Sequence, residues 1–382
     1  MLPFKLLGAV AALSSALGGH QAEAQTFCIH GINYNPRIGA DWAPVNQRCK
    51  SAVGIQADME TLAQVTKSVR IFGLGDCNQG ATVVPAAINA GLTVSLGLWV
   101  SDDDAVFEAE FAYLQTLLQQ NSGIFSDGSI VDIHVGSEAI YRKDVTAQKN
   151  IEFMNRVKAL LGANSLASVN VTIAEIGDVY LAHPEITDAV DFVQANSFPF
   201  WEKIDVENAV EYFNSRMEPL YQQAAALGKK VVIGETGWAS DGSSPKASEA
   251  SPSNAAHYFY NFHQMASELG LEFYYFEGFD EEWKIDASNA TVEGYFGLFH
   301  ADGTLKTEIA ELSLGTSCLA SRNEEASATG TTTTTSSTGV YTSGATTSGT
   351  KTSSGNTEST SAGTGTTTTT TTTTERCHVR RV

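Results

Sequence analysis

Positive charge is scarce in this chain. Its 382 residues include 23 lysines and arginines against 43 aspartates and glutamates, a formal net charge of −20. Phosphate backbones would be repelled by that field, so nucleic acid is excluded as a partner. Long apolar runs are missing as well. The stretch Leu6–Leu17 behind Lys5 is too short to cross a bilayer. Followed by Ala22-Glu23-Ala24, it reads as a secretory leader over residues 1–24, which is set aside from the fold, and the remainder is expected to be soluble. There are only five cysteines, no C-x-x-C and no histidine pair at ligand spacing, so no metal site is expected. No G-x-G-x-x-G follows the first apolar run, which argues against a dinucleotide-binding sheet. No cofactor is expected.

What is present is a regular alternation. Apolar runs of strand length cover Phe27–Tyr34, Ser68–Gly73, Leu92–Val100, Ile130–Gly136, Val169–Ala174, Ala189–Asn196, Lys230–Glu235 and Glu272–Gly278. Between them lie amphipathic or alanine-rich stretches such as Ala57–Thr66, Asp104–Gln120, Ala147–Leu161, Val206–Ala226 and Ser253–Leu269. Strand–helix alternation implies parallel pairing through crossovers. Eight units predict an α/β fold, a (β/α)₈ TIM barrel over residues 25–319, with an open doubly wound sheet as the alternative.

Secretion makes the cysteines candidates for disulfides. Cys28 precedes the first strand and Cys318 follows the last helical segment. Those points meet in a closed barrel, so a Cys28–Cys318 clasp is expected. Cys49 and Cys77 both follow early strands and could join neighbouring loops, leaving Cys377 over. From residue 320 the composition turns to Ser, Thr and Gly, with runs at Thr331–Thr335 and Thr366–Thr374. Such a segment cannot bury enough surface to offset its ordering entropy, so residues 320–382 are expected to be a disordered tail. It reads as an O-glycosylated stalk or a plain linker, and a stalk could tie the protein to a cell wall. The chain is read as a secreted monomer. Of two N-glycosylation sequons, at Asn170 and Asn289, the second is favoured because Asn170 opens a strand.

Two predicted strands end in glycine and carboxylate: Val231-Val232-Ile233-Gly234-Glu235, continuing to Thr236-Gly237-Trp238, and His134-Val135-Gly136-Ser137-Glu138. A charge closing a buried strand is costly unless it has a partner or work to do. The structural alternative for Glu138 is an ion pair with Arg142. His134 reads as structural, and Asp102-Asp103-Asp104 as a helix N-cap cluster. Trp99, Trp201, Trp238 and Trp283 fall at or just past strand ends. Carboxylates ringed by aromatics suit carbohydrate: rings cover the C–H face of a sugar while polar groups bind its edge. Two carboxylates are what glycosidic cleavage needs, one to protonate the leaving oxygen and one to attack or to activate water.

Six segments in this order carry a resemblance over Phe27–Leu314: Gly31-Ile32-Asn33-Tyr34, Leu96-Gly97-Leu98-Trp99, Val135-Gly136-Ser137-Glu138 with Tyr141-Arg142, Pro199-Phe200-Trp201, Gly234-Glu235-Thr236-Gly237-Trp238, and Phe276-Glu277-Gly278-Phe279-Asp280-Glu281-Glu282-Trp283-Lys284. The chain resembles glycoside hydrolase family 17, and within it the secreted fungal-type glucan 1,3-β-glucosidases and glucanosyltransferases. That resemblance implies a retaining enzyme cleaving β-1,3-glucan, with Glu138 as acid/base and Glu235 as nucleophile. Tyr34, Ser137, Trp201, Trp238, Glu277, Trp283 and Lys284 are expected to contact the sugar. One position departs from the pattern: the residue before the acid/base is usually Asn, and here it is Ser137. Three readings follow from the shorter side chain: slower turnover, a contact bridged by water, or a weakened glucan binder. Transglycosylation by the same site, and a non-catalytic glucan-binding protein of the cell wall, stand as the alternatives to hydrolysis.

Overall fold

The computed structural model describes residues 27–40, 42–287, 291–315 and 317–318. The leader, the tail, Cys377 and Asn289 lie outside the described residues.

Eight parallel strands close on themselves in chain order. They are β1 (Ile29–Asn33), β2 (Thr66–Arg70), β3 (Thr93–Leu98), β4 (Ile130–Ser137), β5 (Asn170–Ile176), β6 (Val193–Asn196), β7 (Val231–Thr236) and β8 (Phe273–Tyr275). Pairing of Gly31 with Tyr274 and of Ile32 with Tyr275 joins β8 to β1 and closes the ring. Each predicted strand overlaps an observed one, with β2 beginning two residues before its predicted start and β4, β5 and β7 running one or two residues past their predicted ends, and the open sheet is ruled out. The buried strands read as continuous apolar runs because both faces are covered, one by the barrel interior and one by helices.

The helices begin where the sequence provides caps. The side chains of Ser51, Asp103, Thr146 and Ser251 accept backbone N–H groups of Gly54, Ala105, Lys149 and Asn254. The Ser51 cap starts a helix at Ala52, five residues before the predicted Ala57, because Gly54 in its first turn masks the pattern. After β5 the crossover is two short helices, Gly177–Ala182 and Pro184–Ala189, so the strand predicted from Ala189 begins at Val193. Among the described residues no helix is long and apolar enough to cross a membrane.

Disulfides join Cys28 to Cys318 and Cys49 to Cys77. The first ties the strand that opens the barrel to the end of the described chain. The second links the loops that follow β1 and β2.

Candidate active site

Barrel interiors of this fold are usually filled by Val, Ile and Leu. This one is polar. The Arg70 side chain, fully buried at the end of β2, crosses the interior. Its guanidinium donates to Asn33 Oδ1 of β1 at 2.8 Å and to Ser137 Oγ of β4 at 3.1 Å. It also donates to Glu235 Oε1 of β7 at 3.0 Å and to Gln194 Oε1 of β6 at 3.4 Å. One cation therefore organises four strands. Below it the Tyr274 ring occupies the space over Gly31, where an added Cβ would lie 2.2 Å from the ring.

Both carboxylate strands carry an extra residue. His134 pairs with Thr172 and Ser137 with Ala174, so β4 takes three steps while β5 takes two. Gly136 sits in this bulge with φ +79°, a conformation glycine adopts freely. On β7 the step from Ile233 to Glu235 matches the single step from Ala195 to Asn196. Gly234 fills that bulge because the Asn196 side chain lies over it: a Cβ there would come within 2.6 Å of Asn196 Oδ1. Bulges next to active sites re-aim side chains. Here the two bulges lie at the ends of the strands that lead into Glu138 and Glu235.

Glu235 is 3 % exposed and Glu138 6 %. Ser137 joins their surroundings: its hydroxyl donates to Glu235 Oε1 at 2.9 Å, and its peptide continues into Glu138. Asn196 donates from Nδ2 to Glu138 Oε1 at 3.0 Å. Its Oδ1 is a buried acceptor with no hydrogen-bond partner among the described residues. Glu138 holds φ +57°. Its N–H donates to Ala174 O at 2.9 Å and its carbonyl accepts from Arg142 N at 2.9 Å. The Arg142 guanidinium bonds the Ser137 and Val100 carbonyls, pairs with Asp144 at 2.8 Å and lies 4.5 Å over the Trp99 ring.

Beneath this elbow, Glu175 of β5 is fully buried. It accepts the Ile140 N–H at 2.6 Å and the Tyr141 N–H at 3.4 Å. Burial pushes its pKa up to about 8; the backbone N–H of Ile140 pulls the other way, and the neighbouring Glu138 adds to the rise. On the far rim, Lys284 bonds Glu277 Oε1 at 3.1 Å and also contacts Glu281. Burial and the Glu281 charge raise the Glu277 carboxyl well above its usual range. Burial works to lower the Lys284 ammonium, and the Glu277 and Glu281 carboxylates more than reverse it.

The expected sugar-contacting residues divide in two. Ser137, Glu277 and Lys284 belong to the polar network just described. Trp201 and Trp283 are half-buried at the rim, Trp201 against Phe200 and Phe296, Trp283 beneath the Arg37 guanidinium at 5.4 Å. Tyr34 and Trp238 are each 1 % exposed and present no free face to a sugar. Tyr34 donates its hydroxyl to Asp58, and Trp238 donates its indole N–H to Glu249 O and packs on Phe200 and Tyr258. Position at a strand end fixes height in the barrel, not depth, and both rings are part of the core. The residues missed are Arg70, Glu175 and, as a Glu138 partner, Asn196. Arg70 and Glu175 each carry the same mark that identified Glu235, a charge within the last steps of an apolar run.

The closed parallel barrel carries Glu138 and Glu235 at the C-terminal ends of β4 and β7, and its class is that of the glycoside hydrolases. The BtgE/BtgC glycoside hydrolase domain matches residues 31–297, and the chain belongs to that family, within glycoside hydrolase family 17. A glucan 1,3-beta-glucosidase of Candida albicans is 35 % identical over 274 residues, spanning 68 % of this chain and 87 % of that protein. One of Saccharomyces cerevisiae is 30 % identical over 271 residues, 68 % and 85 % of the two chains. The crystal structure of a family 17 β-1,3-glucanosyltransferase from Rhizomucor miehei superposes with a TM-score of 0.63 at 29 % identity, covering 76 % of this chain and 99 % of its own.

Proposed function

We propose that this glycoside hydrolase cleaves β-1,3-glucan with retention of configuration, through a covalent glycosyl-enzyme. Glu235 attacks the anomeric carbon while Glu138, in its acid form, gives its proton to the departing glycosidic oxygen. Glu138 then takes a proton from water, and the hydroxide oxygen displaces Glu235 from the sugar. Arg70 offsets the cost of burying the Glu235 carboxylate and fixes its orientation. The observation that carries this reading is the Ser137 bridge: its hydroxyl touches Glu235 while its own peptide leads into Glu138. The glucan substrate is supported by the relatives, which bear that specificity in their names. A sugar hydroxyl in place of water would give chain transfer, a second outcome supported by the glucanosyltransferase neighbour. Action outside the cell, on wall glucan, is supported by the two disulfides.

The test is incubation with laminarin. New reducing ends, released first as the β-anomer by NMR, are expected, and longer chains would mark transfer. Glu138→Gln should lower turnover by about 10²–10⁴-fold, the usual worth of a general acid. Binding without turnover would leave a glucan-binding protein. A Glu235→Gln variant as active as the parent would remove the proposed nucleophile.

A further inference from the structure

Among the buried carboxylates of the described residues that the mechanism does not use, Glu175 is the one with no exposed surface. Glu175 sits on β5, where Glu175 pairs with Ala195. The preceding residue, Ala174, pairs with Ser137 and takes the Glu138 N–H on its carbonyl. A fully buried ionisable group without a task is expensive, and a hydrophobic residue would fill the space at lower cost. What Glu175 does is accept two successive backbone donors, the N–H groups of Ile140 and Tyr141, in the turn that leaves Glu138. Glu138 itself stands at φ +57°, a left-handed conformation that strains a non-glycine residue and persists only where the surroundings over-determine it. Several restraints hold this elbow, among them Asn196 Nδ2 on Glu138 Oε1 and the Asp144 N–H on the Ala139 carbonyl. The Ala174 carbonyl holds its entry, Arg142 holds the Ser137 and Glu138 carbonyls, and Glu175 holds its exit. Without the carboxylate, the buried Ile140 N–H and the part-buried Tyr141 N–H lose the Glu175 acceptor, and the elbow can relax toward negative φ. That would swing the Glu138 side chain.

We infer that Glu175 is a positioning residue for the proton donor: by clamping the Ile140 and Tyr141 N–H groups it fixes the elbow that aims the Glu138 carboxyl at the glycosidic oxygen. The inference rests on the acid/base role proposed for Glu138. It predicts a particular kind of defect. Misplacing a general acid harms substrates whose leaving group needs a proton and spares those whose leaving group does not. A loss of general packing would harm both alike.

The experiment compares the parent, Glu175→Ala and Glu175→Gln on laminarin and on 2,4-dinitrophenyl β-laminaribioside, whose phenolate departs unprotonated. Glu175→Ala is expected to lose about 100-fold in kcat on laminarin, as expected of a displacement near 1 Å. Its kcat/KM on the aryl substrate should stay within about threefold of the parent, the limit set here for a spared substrate. Azide, which attacks the glycosyl-enzyme without needing a base, should raise kcat for this variant on the aryl substrate and yield a β-glycosyl azide. Glu175→Gln keeps one acceptor oxygen and should show the same pattern more weakly, which covers the case of an alanine variant that does not fold. Equal losses on both substrates, or no loss on laminarin, would overturn the assignment to Glu175. A parent inert on both substrates would instead overturn the enzymatic reading on which the assignment stands.

Discussion

Arg70→Met is the most informative single perturbation of the barrel interior. Methionine approximates the volume of the arginine stem, so the change removes charge and donors more than bulk. It leaves the Glu235 carboxylate, 3 % exposed, without its cation, and takes a donor from Asn33 Oδ1, Ser137 Oγ and Gln194 Oε1. Removing one member of a buried ion pair costs about 3–5 kcal/mol, chiefly because the other charge stays buried. For a domain of this size that lowers the melting temperature by roughly 5–8 °C. The double variant Arg70→Met/Glu235→Gln removes both charges and should regain part of the loss. A double-mutant cycle by urea unfolding measures it: the double variant is expected to fall short of the summed single effects by about 2 kcal/mol. Additivity within about 0.5 kcal/mol would mean that the 3.0 Å contact carries no coupling, and the account of Arg70 as organiser would be wrong.

Three further outcomes follow from the same site. The folded chain holds a proton on Glu175 from its ordinary 4.5 up to about 8, which the unfolded chain releases, so stability should fall as pH rises through that interval, by at most about 1.4 kcal/mol per pH unit. Asp132, raised to about 6 by burial, acts in the same sense, while His30, His134 and His263, lowered by burial, act oppositely below 6.5. Glu277, raised well above its usual range by burial and the Glu281 charge, acts in the same sense as Glu175, so unfolding free energy should decline from pH 6.5 to 8 more steeply in the parent than in Glu175→Gln, and equal slopes in both would refute the assignment. Ser137→Ala removes a hydrogen bond to a charged group, about 1.5–3 kcal/mol, and should lower kcat/KM on laminarin about 10- to 100-fold. Ser137→Asn should lower the melting temperature, because the larger group must fit where Oγ already lies within 3.1 Å of both Arg70 and Glu235.

Strands were legible in the sequence because most are apolar runs buried on both faces, while β2, Thr66-Lys67-Ser68-Val69-Arg70, breaks that pattern and was placed two residues late. The Cys28–Cys318 clasp was legible once closure was assumed, since only a ring brings those ends together. Glu138 and Glu235 stood out through the glycines before them, and the structure gives those glycines a physical reason in the two bulges. The bulges themselves were not legible: register depends on strands tens of residues apart, and nothing local in Val135-Gly136-Ser137 counts steps on β5. The charge of Arg70 was visible near the end of its run, but its role was hidden because its partners, Asn33, Ser137, Gln194 and Glu235, are scattered over 202 positions and meet only inside the closed barrel. Tyr34 and Trp238 were read as sugar-facing for the converse reason. A sequence shows that an aromatic lies near the rim, but not which way its ring turns.

The disulfide between Cys28 and Cys318, 290 residues apart, turns the barrel into a covalent hoop. A protease that cuts one surface loop between those cysteines breaks the hoop without releasing a piece, since both new ends stay tethered through the sulfur bridge. The barrel can thus absorb a single nick and keep its staves assembled, and two cuts are needed before any segment can drift away.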